Sequence, residues 1–154
     1  VDQTSTFRVS ASRDNLSKIQ HFVLERAEAL GVPDSLRSKL ELVVEEVFIN
    51  IASYAYSEGG GTVEADCALD GRRFRLRFVD HGIPFDPTGQ GPPDTHEDVD
   101  HRTIGGLGVF LIQKMADEIR YERQEDVNVL TMHFTLPQEA SAAQEYDDEE
   151  KKLV

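Results

Sequence analysis

The apolar residues of this chain switch between two periods, and those switches limit what the chain can fold into. Leu16, Ile19, Val23, Ala27 and Leu30 recur every three or four residues, as do Leu36, Leu40, Val43, Val47 and Ile51, so each set lines one face of an amphipathic helix. Ser12 is placed to cap the first helix and Gly31 to end it. Pro33 opens the second, which the pattern carries to about Tyr54. After Gly59-Gly60-Gly61 the spacing becomes every second residue over 62–69 and 74–80, with Asp70-Gly71 between them as a hairpin signal. A weaker alternation at 4–9 predicts a strand before the first helix. A third helix is predicted from about Gly106 to Ala116, with Val109, Phe110, Ile112, Gln113 and Met115 around it, and 118–123 and 127–136 read as closing strands. Three helices beside about five mostly antiparallel strands predict an α/β two-layer sandwich with the helices on one sheet face.

A chain of 154 residues is expected to form one domain, assigned to 1–137. Residues 138–154, rich in Glu, Asp, Ala and Lys, read as a disordered acidic tail or a frayed helix, with protein docking as the functional alternative. The formal net charge of −13 argues against direct nucleic-acid binding, because neutralising phosphates requires a basic surface. No apolar run approaches the roughly 20 residues of a membrane span, so no membrane partner and a cytoplasmic location are expected. The start at Val1 fits a processed tag or a domain cut from a longer protein. Cys67 is the one cysteine, which excludes an internal disulfide, and its place in an apolar alternation predicts a buried, inert thiol.

Three local patterns carry chemistry. Glu46 and Asn50 are four residues apart, about 40° around a helix, and share a face while Glu45 is angled away. A carboxylate there can orient or deprotonate a hydroxyl, and an amide oxygen suits magnesium, which keeps waters and substrate phosphates as its other ligands. Such a pair also fits a solvated face; the apolar Val47, Phe48, Ile51 and Ala52 around it favour a pocket wall. Asp80 ends a predicted strand, where a carboxylate can accept from the exocyclic amine of adenine, and Gly82 lets the backbone approach a flat ligand. The bland alternative is a strand-ending turn. Gly105-Gly106-Leu107-Gly108 opens a predicted helix, whose free N–H groups favour phosphate, although glycines at such a junction are also ordinary hinges. Together these are parts that hold ATP with a divalent cation.

Other nucleotide sites do not fit. No Gly-x-x-x-x-Gly-Lys run is present, and the glycines follow a loop rather than the first strand of a βαβ unit. His96 and His101 are five apart, unlike the four of a helical zinc pair, and His81 beside Asp80 reads either as a group titrating near neutrality or as a loop residue facing solvent. The long stretch 83–104, rich in Pro and Gly, reads as a functional loop.

In their order along the chain, Glu46-x-x-x-Asn50, Asp80-x-Gly82-x-Pro84-Phe85-Asp86 and Gly105-Gly106-Leu107-Gly108 resemble the GHKL (histidine-kinase-like) ATPase superfamily, in particular its bacterial anti-sigma-factor serine/threonine kinases. The likeness extends over 4–136 and includes the run from Met115 to Arg123 and Asn128-Val129-Leu130-Thr131. The resemblance implies a Bergerat sandwich with ATP between helices and a lid, magnesium on Asn50, Glu46 as general base, adenine on Asp80 and phosphates against Gly105, Gly106 and Gly108. Relatives often carry glycine just before the position of Asn128, where this chain has Val127, a departure touching that turn and any adenine contact from Asn128. The lid, 88–104, is acidic; its Arg102 reads equally as a γ-phosphate partner or a surface residue.

The resemblance further implies an anti-sigma kinase that phosphorylates an anti-anti-sigma antagonist and competes for a sigma factor in a partner-switching pathway. It leaves a homodimer open, as relatives commonly dimerise. The alternative is a non-catalytic ATP-dependent binding module, cut from a longer phosphatase-containing regulator. The catalytic domain of a sensor histidine kinase is disfavoured, since no coiled-coil heptads precede the site.

Overall fold

The structure, a computed structural model, describes residues 5–56, 60–85 and 107–137. The expected lid beyond Phe85, Arg102, Gly105, Gly106 and the acidic tail lie outside these residues. Strand β1 (Thr6–Ser10) leads through a 3-10 turn at Arg13–Asn15 into α1 (Leu16–Ala29). A second 3-10 turn, Asp34–Leu36, leads into α2 (Arg37–Asn50), which widens into a π-helical turn at Ile51–Ala55. The hairpin of β2 (Thr62–Asp70) and β3 (Arg73–Asp80) follows, then α3 (Leu107–Met115), then β4 (Glu118–Gln124) and β5 (Val127–Thr135). The strands form one sheet in the order β1-β2-β3-β5-β4, every neighbouring pair antiparallel. The expected two-layer sandwich is what the chain forms. No helix among the described residues is long and apolar enough to cross a membrane.

The helix starts differ from the sequence reading. Ser12 caps the 3-10 turn rather than α1, its hydroxyl accepting from the Asp14 N–H at 3.4 Å. Pro33 is extended, with ψ of 154°, and its carbonyl accepts from Leu36 N at 3.1 Å, which closes a 3-10 turn before α2 begins at Arg37. At its other end α1 stops as expected, at Gly31 with φ of +89°, a conformation that costs glycine no Cβ clash. Both strand hairpins use two-residue turns. Gly71 supplies φ of +61° in the first and Glu125 adopts +56° in the second, held by the Arg123 Nε donating to the Glu125 carbonyl at 3.0 Å.

The core lies between the helices and the inner sheet face. α1 buries Ile19, Val23 and Ala27; α2, packed against both α1 and α3, buries Val44 and Phe48 as well as the expected Leu40, Val43 and Val47. A helix flanked on two sides needs an apolar arc wider than one stripe, which is why Val44 and Phe48 join it. On the sheet, period-two alternation delivers Val63, Ala65 and Cys67 of β2 and Phe74, Leu76 and Phe78 of β3 inward, all almost fully buried. Leu130, Met132 and Phe134 of β5 face them. Cys67 is the expected core thiol; burial, then the neighbouring Asp66 charge, pushes its pKa up to about 12. The opposite sheet face is charged. Arg8 pairs with Glu64, Arg73 with Glu118, and Arg77 with the buried Asp66 at 2.9 Å.

Candidate functional site

The same inward alternation that builds the core ends in a polar pair. Along β3 and β5 the facing pairs are Phe74–Phe134, Leu76–Met132, Phe78–Leu130 and then Asp80–Asn128. Asp80 is 6 % and Asn128 4 % exposed, so both polar groups are taken out of water and need partners. Asp80 Oδ1 accepts from Gly82 N–H and from Asn128 Nδ2, each at 2.9 Å. Among the described residues its Oδ2 accepts no hydrogen bond, and Asp80 lines a cleft.

That cleft is open to solvent and lined mostly by apolar side chains with a few polar groups, the make-up of a small-ligand site. Val47 and Asn50 of α2, with Ile51, Tyr54 and Ala55 of the π-helical turn, form one wall, spaced as one helix face. Ile112 of α3 and Leu130 supply apolar surface, and Asp80, Asn128 and Tyr121 supply the convergent polar groups. The π-helical turn was not foreseen. It keeps the helical spacing going past Asn50 and brings the Ala55 carbonyl to the chain leaving β3, where it accepts from Ile83 N–H at 2.8 Å. Gly82 sits against the same carbonyl, with which any Cβ at Gly82 would overlap. The close approach this glycine permits in the described structure is therefore to the helix end forming the cleft wall.

The structure brings Asn50 and Asp80 to one cleft. Glu46 lies one turn before Asn50 and is half-buried while Glu45 is exposed, as the spacing requires, but Glu46 is not part of the cleft lining. Burial first, and then the Glu45 charge, raise the Glu46 pKa above the ordinary carboxylate value. α3 begins at Leu107, with Gly108 in its first turn, and carries Ile112 into the cleft wall, so the helix opened by the glycine segment borders the site. Among the described residues no three His, Cys, Asp or Glu side chains are grouped to hold a metal. A hard cation held by one amide oxygen and by a substrate's phosphates needs no such group, and Asn50 fits that donor role.

From the sequence, Tyr121 and Arg123 enter only within a matching run, and Asn128 as an adenine contact that the departure at Val127 leaves open. A signal was available for Asn128, which falls on the inward period of β5 with Leu130, Met132 and Phe134 and is the one polar member of that row.

The family described as the histidine kinase-like ATPase domain matches residues 9–134, and the chain belongs to that family. Serine-protein kinase RsbW of Bacillus cereus (strain B4264) and of Bacillus anthracis are each 30% identical to it over 99 residues. Those alignments cover 62% of this chain, which spans 62% of the length of each relative. Among solved structures, the RsbU and RsbW domains of a Mycobacterium tuberculosis protein align over 87% of this chain and 33% of that one, with a TM-score of 0.58 and 15% identity. The catalytic domain of histidine kinase ThkA aligns over 84% of this chain and 96% of its own, with a TM-score of 0.52 and 14% identity. These likenesses agree in fold with the five-stranded sheet and three helices.

Proposed function

We propose that this chain binds ATP in the cleft and transfers the γ-phosphate to a serine of an anti-anti-sigma antagonist, acting as an anti-sigma kinase whose other partner is a sigma factor. The observation that carries the reading is the placement of Asp80, buried and with Oδ2 uncommitted among the described residues, at the end of an apolar cleft with Asn50 on the facing wall. A carboxylate oxygen there accepts from a 6-amino group and is repelled by a 6-oxo group, which favours adenine. The likeness to serine-protein kinases supports the phosphoacceptor class. The ATPase domain is taken as residues 1–137, and Gly82, Arg102, Gly105, Gly106, Leu107 and Gly108 as the nucleotide's further contacts.

In the transfer step the serine Oγ forms a bond to the γ-phosphorus as the bridging P–O bond breaks, the electron pair leaving with ADP. Glu46 orients the hydroxyl and takes its proton; its raised pKa makes it a better base than an ordinary carboxylate. Asn50 would hold magnesium, which when bound neutralises phosphate charge.

Single-turnover transfer from γ-labelled ATP tests this with a serine-bearing partner captured in the presence of ATP. Glu46→Gln should keep ATP bound and lower transfer by roughly 10²-fold or more. Transfer at the wild-type rate would remove Glu46 as the base. The position of Glu46 outside the cleft lining favours a second reading, an ATP-dependent binding module without transfer. Wild-type protein that binds ATP and its partner yet labels no serine would establish that one instead.

A further inference from the structure

Asn128 makes four hydrogen bonds, and together they leave its amide no freedom. Its Nδ2 donates to Asp80 Oδ1 at 2.9 Å and to the Ile83 carbonyl at 2.8 Å. Its Oδ1 accepts from Arg123 Nη1 at 3.0 Å and from the Tyr121 hydroxyl. An amide has two donors and an oxygen with two lone pairs, so this set saturates it. The two donors aimed at Oδ1 also fix which end of the amide faces Asp80, since turning it over would put an acceptor against the carboxylate and donors against donors.

The same two side chains hold the segment after β3. Arg123 Nη1 donates to the Gly82 carbonyl at 2.7 Å, and the Tyr121 hydroxyl accepts from Phe85 N–H at 3.2 Å. With the Asn128 bond to Ile83, three residues of the β4–β5 hairpin thus grip residues 82–85 at successive points. This is more than the fold needs to close its sheet, because β3 and β5 are already paired along their length up to Asp80–Asn128.

We propose that Tyr121, Asn128 and Arg123 form a clasp of positioning residues that sets purine specificity: it commits Asp80 Oδ1 to the protein and leaves Oδ2 as the atom that reads the 6-position of the base. The proposal rests on the reading of the cleft as an ATP site. Saturated by protein, Asn128 has no group to offer the base, so discrimination falls on a single acceptor whose aim depends on the clasp. Without the clasp, Asn128 loosens, the Asp80 carboxylate rotates, and an oxygen is no longer held opposite the amino group.

Affinity for ATP and for inosine triphosphate, which replaces the 6-amino group by oxygen, tests this by calorimetry on the full chain with magnesium. Wild type should prefer ATP. The double variant Tyr121→Phe/Arg123→Met should lower the ATP-to-inosine-triphosphate affinity ratio by about tenfold, the scale of one lost polar contact. A clasp with a merely structural role would instead lower melting temperature and both affinities together, leaving the ratio unchanged, and that result would overturn the proposal. If the double variant does not fold, Tyr121→Phe, which removes one oxygen atom, should still lower the ratio by about threefold; an unchanged ratio there overturns the proposal equally. Wild type that prefers ATP alongside variants that keep the full preference would sink the clasp and spare the ATP site. Wild type that binds neither nucleotide would sink both.

Discussion

Two regions of one sheet face, built by the same alternation of the same two strands, do different work. Phe74–Phe134, Leu76–Met132 and Phe78–Leu130 are apolar pairs shut off from water by the helices, whereas the next pair in register, Asp80–Asn128, is polar and equally buried. The apolar pairs gain by leaving water, on the order of 1.5–3 kcal/mol for each large side chain. The polar pair loses by it unless every group finds a partner. Among the described residues the protein supplies partners to all of Asn128 and to one oxygen of Asp80, a residue that lines the cleft. On the reading proposed above, that unfilled acceptor is what the site offers its ligand, and the three pairs behind it are its support.

Substitutions in the two regions should therefore separate stability from binding. The largest effect is expected at Leu76, which is fully buried opposite Met132. Leu76→Ala should cost about 2–5 kcal/mol in chemical denaturation while the folded fraction keeps near wild-type ATP affinity. A variant that lost ATP binding with little loss of stability would break the distinction. Next comes Asp80→Asn, expected to weaken ATP binding by about 1–3 kcal/mol in calorimetry and to lower the melting temperature less than Leu76→Ala does. Unchanged affinity in the folded variant would remove Asp80 from the site.

Smaller still is the effect of Glu46 on pH dependence. Its folded pKa is raised by burial and by Glu45, so folding favours the protonated form. The stability this confers is present below the unfolded carboxylate pKa and is lost as pH rises through the folded one. Glu46→Gln should accordingly melt at the same temperature or slightly higher at neutral pH, with the difference closing in acid. Phosphoryl transfer by the wild type should run the other way and fall as pH drops through the raised pKa, because the base must be ionised. A Glu46→Gln protein that melts lower at pH 7 would mean that the charge is stabilising and the burial argument wrong.

The difference between the two regions also explains what the sequence could reveal. Apolar periodicity is local, so it located α1, α2 and β3 and found Asp80 at a strand end beside Gly82. The clasp's grip on Asp80 and residues 82–85 depends on contacts 36 to 48 residues apart, such as Phe85–Tyr121 and Asn128–Asp80, which no short window contains. Asn128 is legible as an interruption of an apolar row and, through the family resemblance, as an adenine contact left open by Val127. The π-helical turn after Asn50 had no signal at all, since Ile51 to Ala55 continue the helical spacing, and its widening serves the Ala55 contact with Ile83 across the chain. Val44 was missed, and Phe48, expected in the pocket wall, lies in the core instead, because a single-stripe reading of α2 does not anticipate a helix packed on both sides.

On this reading the polar end of the sheet face holds and reads the base of ATP. A crystal structure of the chain with magnesium and a non-hydrolysable ATP analogue tests it most directly. The expected result is the 6-amino group within hydrogen-bond distance of Asp80 Oδ2, with Oδ1 still held by Asn128 and Gly82, and the phosphates on the Asn50 side of the cleft. A nucleotide whose base lies away from Asp80, or an Asp80 carboxylate with both oxygens turned to the protein, would contradict it.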